Sequence, residues 1–436
     1  MIVDFSVQNF LSIKEKQTLS FEADRSQRLE DSYVMEVGGK RLLKLGLIYG
    51  ANASGKTNVL QALEFMKELV TRPKMNKNDS LDVVPFMFDE KTPRENTMMS
   101  IRFIQKGVLY SYEVELNKDA VINETLYFND PRKSLVFKRT TDTVKKLAVI
   151  TFGPKIKVEK SSIDELSKNT LWNNTTLGGF MKTNADINQL TDVTDWFVSY
   201  LQHVIFPHVY LDSFVTERLD KQLVDKGLLL RLLNKADFGI SDLIIRNEDI
   251  EVNDTLIEIL RSQRNMPSEA LNEMKRNGKI TQVKVAVEHT VGGKKYILPF
   301  ESESQGTERY YGLAGILALL IGGSVIISID ELEGSLHPDL FEHFLLTFLL
   351  NAKNSQLLAT THYREILNKK DFFRNDAIWF TERNEQSATE LYSLADFDSS
   401  VVRDTTNVYN AYKMGKFGAI PMLKDTYLDI ESHEKQ

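Results

Sequence analysis

The chain of 436 residues contains no cysteine. That excludes disulfides, thiolate zinc sites, iron–sulfur clusters and cysteine nucleophiles, and leaves oxygen and imidazole as the ligands for any metal. Long apolar runs are also missing, since none reaches the roughly 18 residues that span a bilayer. The first ten residues, MIVDFSVQNF, alternate like a strand, unlike a charged-then-apolar leader, so the expected location is the cytoplasm, with no membrane partner. Basic residues are not in excess: 54 Lys and Arg against 61 Asp and Glu give a net charge of −7, with no global attraction to phosphate backbones. Nucleic-acid binding would have to be local, at clusters such as KGLLLRLLNK (226–235) and KRNGK (275–279), a composition shared by ordinary solvated helix faces. There is no internal repeat, low-complexity tract or sustained heptad run. What the chain does have is 42% hydrophobic residues, enough for a large core and two or three structural units.

The pattern along the chain changes period several times. Residues 1–20 read as a strand and hairpin, and LLKLGLIYG (42–50) as a buried strand ending at a glycine. TNVLQALEFMKELV (57–70) then carries Val59, Leu60, Leu63, Met66 and Val70 at helical spacing. From about 83 to 152, short alternating segments such as MMSIRFIQ and VLYSYEVELN, parted by Lys-Gly, predict antiparallel sheet. From about 155 to 280 the pattern predicts helices, clearest in LLLRLLNK and DTLIEILRSQ, with Pro267 as a break. Alternation returns over 281–300 around Gly292-Gly293. VIISID (325–330) and QLLATTH (356–362) read as buried parallel strands flanking the helix DLFEHFLLTFLL. AIWFTERNEQSATELYSL (377–394) reads as a hairpin, with a final helical region after it.

The strongest motif is GANASGKT, matching G-x-x-x-x-G-K-[ST] between a strand and a helix. Such a loop, here Gly50, Ala51, Asn52, Ala53, Ser54, Gly55, Lys56 and Thr57 with Asn58 behind it, cradles phosphates through backbone N–H groups and a helix N-terminus. Lys56 meets the β/γ oxygens and the Thr57 hydroxyl coordinates Mg²⁺. A second motif, SVIISIDELEGSLHP (324–338), ends an apolar strand on two carboxylates, costly unless metal, water or hydrogen bonds meet them. Asp330 is the expected partner of the Mg²⁺ shell, and Glu331 is placed to orient or deprotonate an attacking water. His362 closes the next parallel strand as TTH. It should end on the same sheet edge and reach the γ-phosphate.

In order along the chain, GANASGKT, the turn SQGT (304–307), IISIDE with SLHP after it, and TTH resemble the ABC/SMC-head ATPases. The resemblance implies an α/β P-loop NTPase of ABC/SMC-head type, with a mixed central sheet, an antiparallel β subdomain and a helical insertion. It also implies a homodimer, open to higher assembly, in which two heads sandwich two ATP molecules. Ser304, Gly306 and Thr307 then cap the nucleotide of the opposite subunit, and Ser335 to His337 form the loop that communicates across the interface. Gln305 stands where the first glycine of the usual signature lies, and Thr307 where its glutamine lies. NFLSI (9–13), PFMFD (85–89), ETLYF (124–128), ADFGI (236–240) and YKMGKFGAIP (412–421) further resemble the RloA/AbiLii-like ATP-binding proteins of phage-defence loci, relatives of the OLD class. Only about sixty residues follow TTH and its helix, too few for the TOPRIM nuclease domain of that class, which implies a separate effector encoded nearby.

The resulting division is an N-terminal ATPase lobe (1–153), a helical insertion (154–280) and a C-terminal ATPase lobe (281–436). The expected function is a nucleotide-gated sensor or scaffold in anti-phage defence. One alternative is a DNA-repair or chromosome-associated head that binds DNA directly. Another is a metal-dependent nuclease using Glu382, Glu390, Asp396 and Asp398. A transporter subunit would need membrane-coupling features, and a hexameric AAA ring would need arginine-finger elements; neither set can be identified.

Overall fold

The computed structural model describes residues 1–207, 209–253, 257, 274–398 and 406–421. In chain order its strands begin with β1 (Ile2–Gln8), β2 (Gln17–Ser20), β3 (Val34–Val37), β4 (Lys40–Leu43) and β5 (Leu45–Gly50). Then come β6 (Thr97–Gln105), β7 (Val108–Leu116), β8 (Val121–Asn129), β9 (Lys133–Asp142) and β10 (Leu147–Phe152). The remainder are β11 (Ile240–Glu251), β12 (Lys279–Val291), β13 (Lys294–Pro299), β14 (Ile326–Ile329), β15 (Gln356–Thr360), β16 (Ile378–Arg383) and β17 (Thr389–Ser393).

The chain forms two compact units, one of residues 1–205, 325–332 and 356–436, the other of residues 206–324 and 333–355. The first holds two large sheets. One is antiparallel throughout, in the order β10-β9-β8-β7-β6-β1-β2, as the alternation over 83–152 predicts. The other, β14-β15-β5-β16-β17, is parallel across its first four strands and antiparallel at β17. Every residue of β5, β14 and β15 is buried, which is why these strands read as continuous apolar runs. The helix Lys56–Thr71 lies against β5 and buries Val59, Leu60, Leu63, Met66 and Val70. Parallel pairing brings the C-terminal ends of β5, β14, β15 and β16 to one sheet edge, where α/β folds bind ligands.

The second unit holds the helices Leu211–Asp220, Lys226–Lys235, Gln305–Gly322 and Pro338–Asn351, together with the sheet β11-β12-β13. Here the expectation of helix throughout 155–280 is corrected. ISDLIIRNEDIE is the strand β11, paired antiparallel with β12 from Ile240↔His289 to Glu251↔Lys279. Its charges suggest a solvated helix, yet the partner strand answers them, as in the Lys284–Glu248 pair at 2.8 Å. DTLIEILRSQ and Pro267 lie, except for Ile257, outside the described residues. The final helical region is described only as far as Pro421, where it includes the short helix Val408–Lys413; residues 422–436 also lie outside the described residues. Lys226–Lys235 is an amphipathic helix whose Leu229, Leu232 and Leu233 are buried. Its Gln305–Gly322 neighbour packs so closely on Leu211–Asp220 that a Cβ on Gly312 would come within 2.3 Å of the Leu211 Cβ.

Candidate functional site

The loop after β5 owes its shape to two residues with positive φ. Ala53 (φ 61°) and Gly55 (φ 105°) flank Ser54, which has no positive φ, and turn the loop into a nest that opens into the helix beginning at Lys56. Glycine is required at both ends for room. A Cβ on Gly50 would lie 2.5 Å from the Ser54 and Thr381 hydroxyls, and one on Gly55 would lie 2.1 Å from the Thr389 Oγ1.

Three residues outside the motif brace this loop. Ser54 Oγ and Thr381 Oγ1 share a hydrogen bond of 2.6 Å. Thr389 Oγ1 donates to the Ser54 carbonyl at 2.9 Å and sits 2.7 Å from Ser12 Oγ, which also accepts from Asn58 Nδ2 at 2.5 Å. NFLSI is thereby explained, since its Ser12 ties the first hairpin to the nucleotide loop. Thr381 and Thr389 stand on opposite sides of the β16–β17 turn, and no sequence signal set them apart from other strand threonines. The buried Lys56 Nζ donates to the carbonyls of Gly50 (3.0 Å) and Ala51 (3.1 Å), inside the arc of the nest.

Opposite the loop, β14 delivers Asp330 and Glu331. Asp330 is 3% exposed, and each of its oxygens is met by a hydroxyl: Thr57 Oγ1 donates to Oδ2 at 3.0 Å and Thr360 Oγ1 to Oδ1 at 2.6 Å. The same Thr360 hydroxyl accepts the Glu331 N–H at 2.8 Å. Glu331 has φ 50°, an uncommon conformation for a glutamate, which turns its exposed side chain off the line of the strand. His362, two residues past β15, is exposed at the same edge. With Gly50, Asn52, Arg364, Arg383 and Tyr412 it lines a pocket of about 580 Å³. The YKMGKFGAIP segment forms part of the wall, held where Tyr392 OH donates to the Phe417 carbonyl at 2.6 Å.

Lys56, Thr57, Asp330, Glu331, His362 and the whole loop thus converge in the first unit. Ser304, Gly306 and Thr307 belong to the second, at the start of the helix Gln305–Gly322. Ser304 caps that helix, its Oγ accepting from the Thr307 N–H at 3.1 Å and lying 2.9 Å from the Thr307 Oγ1. Three of the four acids of the nuclease reading are occupied with the hairpin. Glu382 faces Glu390 across the strands and accepts from Tyr392 OH, Glu390 accepts from Asn384, and Asp396 accepts the Ser393 N–H. Among the described residues none of the four joins a cluster with metal-binding spacing.

The donor set suits a magnesium nucleotide. A hydroxyl and a buried carboxylate, both oxygen donors, adjoin a nest too narrow for any side chain at Gly50 or Gly55. A P-loop on β5, an acidic strand two places away and a parallel sheet edge between them define a P-loop nucleotide-binding ATPase. More particularly, the chain belongs to the family described as "AAA domain, putative AbiEii toxin, Type IV TA system", whose model matches residues 47–368. A comparison with curated proteins finds no match. Among solved structures the chain is similar to the SMC head domain from Thermotoga maritima, at 13% identity over 90% of this chain and 98% of that one, TM-score 0.41. It is also similar to an SmcHead bound to the C-winged helix domain of ScpA, at 13% identity, 90% and 97% coverage and TM-score 0.41. A third is the Smc head domain with an extended coiled coil bound to the C-terminal domain of ScpA, derived from Pyrococcus furiosus, at 11% identity, 90% and 96% coverage and TM-score 0.40. No described helix is long and apolar enough to cross a membrane.

Proposed function

We propose that the chain hydrolyses ATP as a head-to-head dimer and acts as a nucleotide-gated sensor or scaffold in anti-phage defence, controlling a separate toxic effector such as a nuclease. The observation that carries the hydrolytic part is Asp330, buried and held between the Thr57 and Thr360 hydroxyls, with Glu331 turned outward immediately after it. In this reading the nest N–H groups and Lys56 bind the β- and γ-phosphates, and Thr57 with Asp330 holds the cation. Bound Mg²⁺ supplies charge neutralisation at the phosphate oxygens. Glu331 orients the water and accepts its proton, and Thr360 fixes the backbone of Glu331 through its N–H. His362 contacts the γ-phosphate from the neighbouring strand.

Ser304, Gly306 and Thr307 act in trans, offering a helix N-terminus to the nucleotide of a second head. A glycine at 306 supports this: a Cβ there would meet nothing closer than Ser304 Oγ at 3.6 Å, so the chain's own packing does not demand it. The defence role draws support from the toxin named in the family description and from the resemblance to RloA/AbiLii-like proteins.

Glu331→Gln keeps the shape and removes the base. Hydrolysis should fall by about 10²- to 10⁴-fold while ATP binding persists, and ATP should now trap a dimer visible by light scattering. A variant that hydrolyses ATP normally would remove Glu331 from the mechanism. Phage challenge of cells carrying the gene with its neighbours tests the defence role, with Lys56→Ala expected to abolish protection.

A further inference from the structure

ADFGI (236–240) is a family-like motif without a part in the nucleotide site, and in the second unit it meets the signature turn through a histidine that no motif contains. His289 on β12 places Nδ1 3.2 Å from the Gly239 carbonyl and Nε2 2.9 Å from Glu303 Oε1. A carbonyl only accepts, so Nδ1 donates to Gly239, and Nε2 donates to the Glu303 carboxylate only when the ring is the imidazolium, the form in which both nitrogens carry a proton. Glu303 directly precedes the cap residue Ser304, and its side chain is 13% exposed, held against β12. The same motif reaches past the cap as well. Phe238 stacks on Tyr310 with centroids 4.9 Å apart and planes at 28°, and Tyr310 OH lies 3.1 Å from His343 Nδ1. Gly239 adopts φ 62°, and a Cβ there would have nothing within 4 Å, so glycine serves the backbone conformation that aims this carbonyl.

We propose that His289 and Glu303 form a positioning clamp, anchored on the Gly239 carbonyl, that sets the signature turn for the nucleotide of the partner head. The inference rests on the in-trans reading above. Neither residue touches the nucleotide. Their effect is to fix the residue before the cap while Phe238 and Tyr310 fix the turn after it, so that Ser304 to Thr307 has one orientation. A carboxylate swinging free beside that turn would also repel an incoming polyphosphate, and the bond to His289 keeps it turned aside.

The test uses the full chain in the Glu331→Gln background, with binding of a fluorescent ATP analogue and ATP-driven dimerisation measured separately. His289→Ala should leave nucleotide binding unchanged and weaken dimerisation about tenfold, the size of one charge-assisted hydrogen bond. His289→Gln, which can still donate to Glu303, should recover most of it. Glu303→Gln, a gentler change should His289→Ala fold poorly, should weaken dimerisation in the same direction. A purely structural role is separated by mixed dimers of the Glu331-containing protein. Pairing a Lys56→Ala head with a Gly306→Arg head leaves one complete composite site. His289→Ala should then reduce hydrolysis several-fold more on the Lys56→Ala head, which gives the signature, than on the other. Equal losses from both positions, normal dimerisation by His289→Ala, or no recovery with His289→Gln overturns the clamp. If ATP drives no dimer in the parent, the in-trans reading itself fails and the clamp with it. If Gly306→Arg abolishes dimerisation and His289→Ala does not, only the clamp fails.

Discussion

The nucleotide loop and the signature turn each carry a glycine whose reason can be separated by a single methyl group. At Gly55 both the φ of 105° and the 2.1 Å approach to Thr389 Oγ1 oppose any side chain. Gly55→Ala should cost on the order of 1–3 kcal/mol of stability and abolish nucleotide binding, checked by denaturant unfolding and analogue titration. Gly306 presents the reverse case. It lies in the first turn of a helix, where a Cβ would make only ordinary contacts with Ser304 Oγ at 3.6 Å and the Ser335 carbonyl at 3.9 Å, so Gly306→Ala should leave stability equal or higher, by up to about 1 kcal/mol from helix propensity. On the proposed in-trans reading, ATP-driven dimerisation and hydrolysis should nevertheless fall, because the methyl would meet the partner's phosphate. Unchanged ATPase together with unchanged assembly would show that nothing approaches this turn. Residue identity alone cannot separate the two cases, since both are glycines before or within a helix.

At the level of elements, the helix that follows the loop is tied by a buried amine to the segment that runs beside β14. Lys67 Nζ donates to the Phe197 and Leu201 carbonyls, and Leu201 bridges Ile326 of β14. Burial pushes this ammonium down from its ordinary 10.5 to about 8. Between those values the unfolded chain holds a proton the folded chain has released, so this group makes stability rise with pH from about 8 to 10.5. Below about 8 both states are charged and its contribution is flat at its least favourable. Subtracting the urea unfolding free energy of Lys67→Met from that of the parent should expose this rising difference between pH 8 and 10. A difference independent of pH would mean the amine is solvated. On the same helix Glu64 accepts the Val204 N–H at 2.8 Å and lies beside His203, so two polar side chains fasten this one connection.

For the whole molecule, ligand binding should register as stability. Because the site joins residues from β5, β14 and β15, a nucleotide that binds only the folded chain raises its unfolding free energy by about 2.7 kcal/mol at a hundredfold excess over Kd. The rise in melting temperature should require Mg²⁺ with ATP in the parent, and should lose its Mg²⁺ dependence in Asp330→Asn. A magnesium-independent shift in the parent would detach Asp330 from the cation. The compact units also show how far chain order and space diverge: the first contains residues 325–332 between two stretches of the second, so the acidic strand is contributed by a segment of eight residues.

The sequence by itself determined the nucleotide loop, the acidic strand, the parallel order of β14 and β15, and the antiparallel subdomain. Each of these is written in local periodicity or in a motif whose spacing is set by backbone geometry. It misread β11, because a charged strand whose partner lies some thirty residues away shows no local sign of the pairing that satisfies it. Only the tertiary structure decided that Ser12, Thr381 and Thr389 brace the loop, that Thr360 serves Asp330 and Glu331 with one hydroxyl, and that His289 joins Gly239 to Glu303. These are hydrogen bonds between residues remote in the chain, made by common polar side chains, and their partners are fixed by how the strands are laid side by side rather than by any pattern along them.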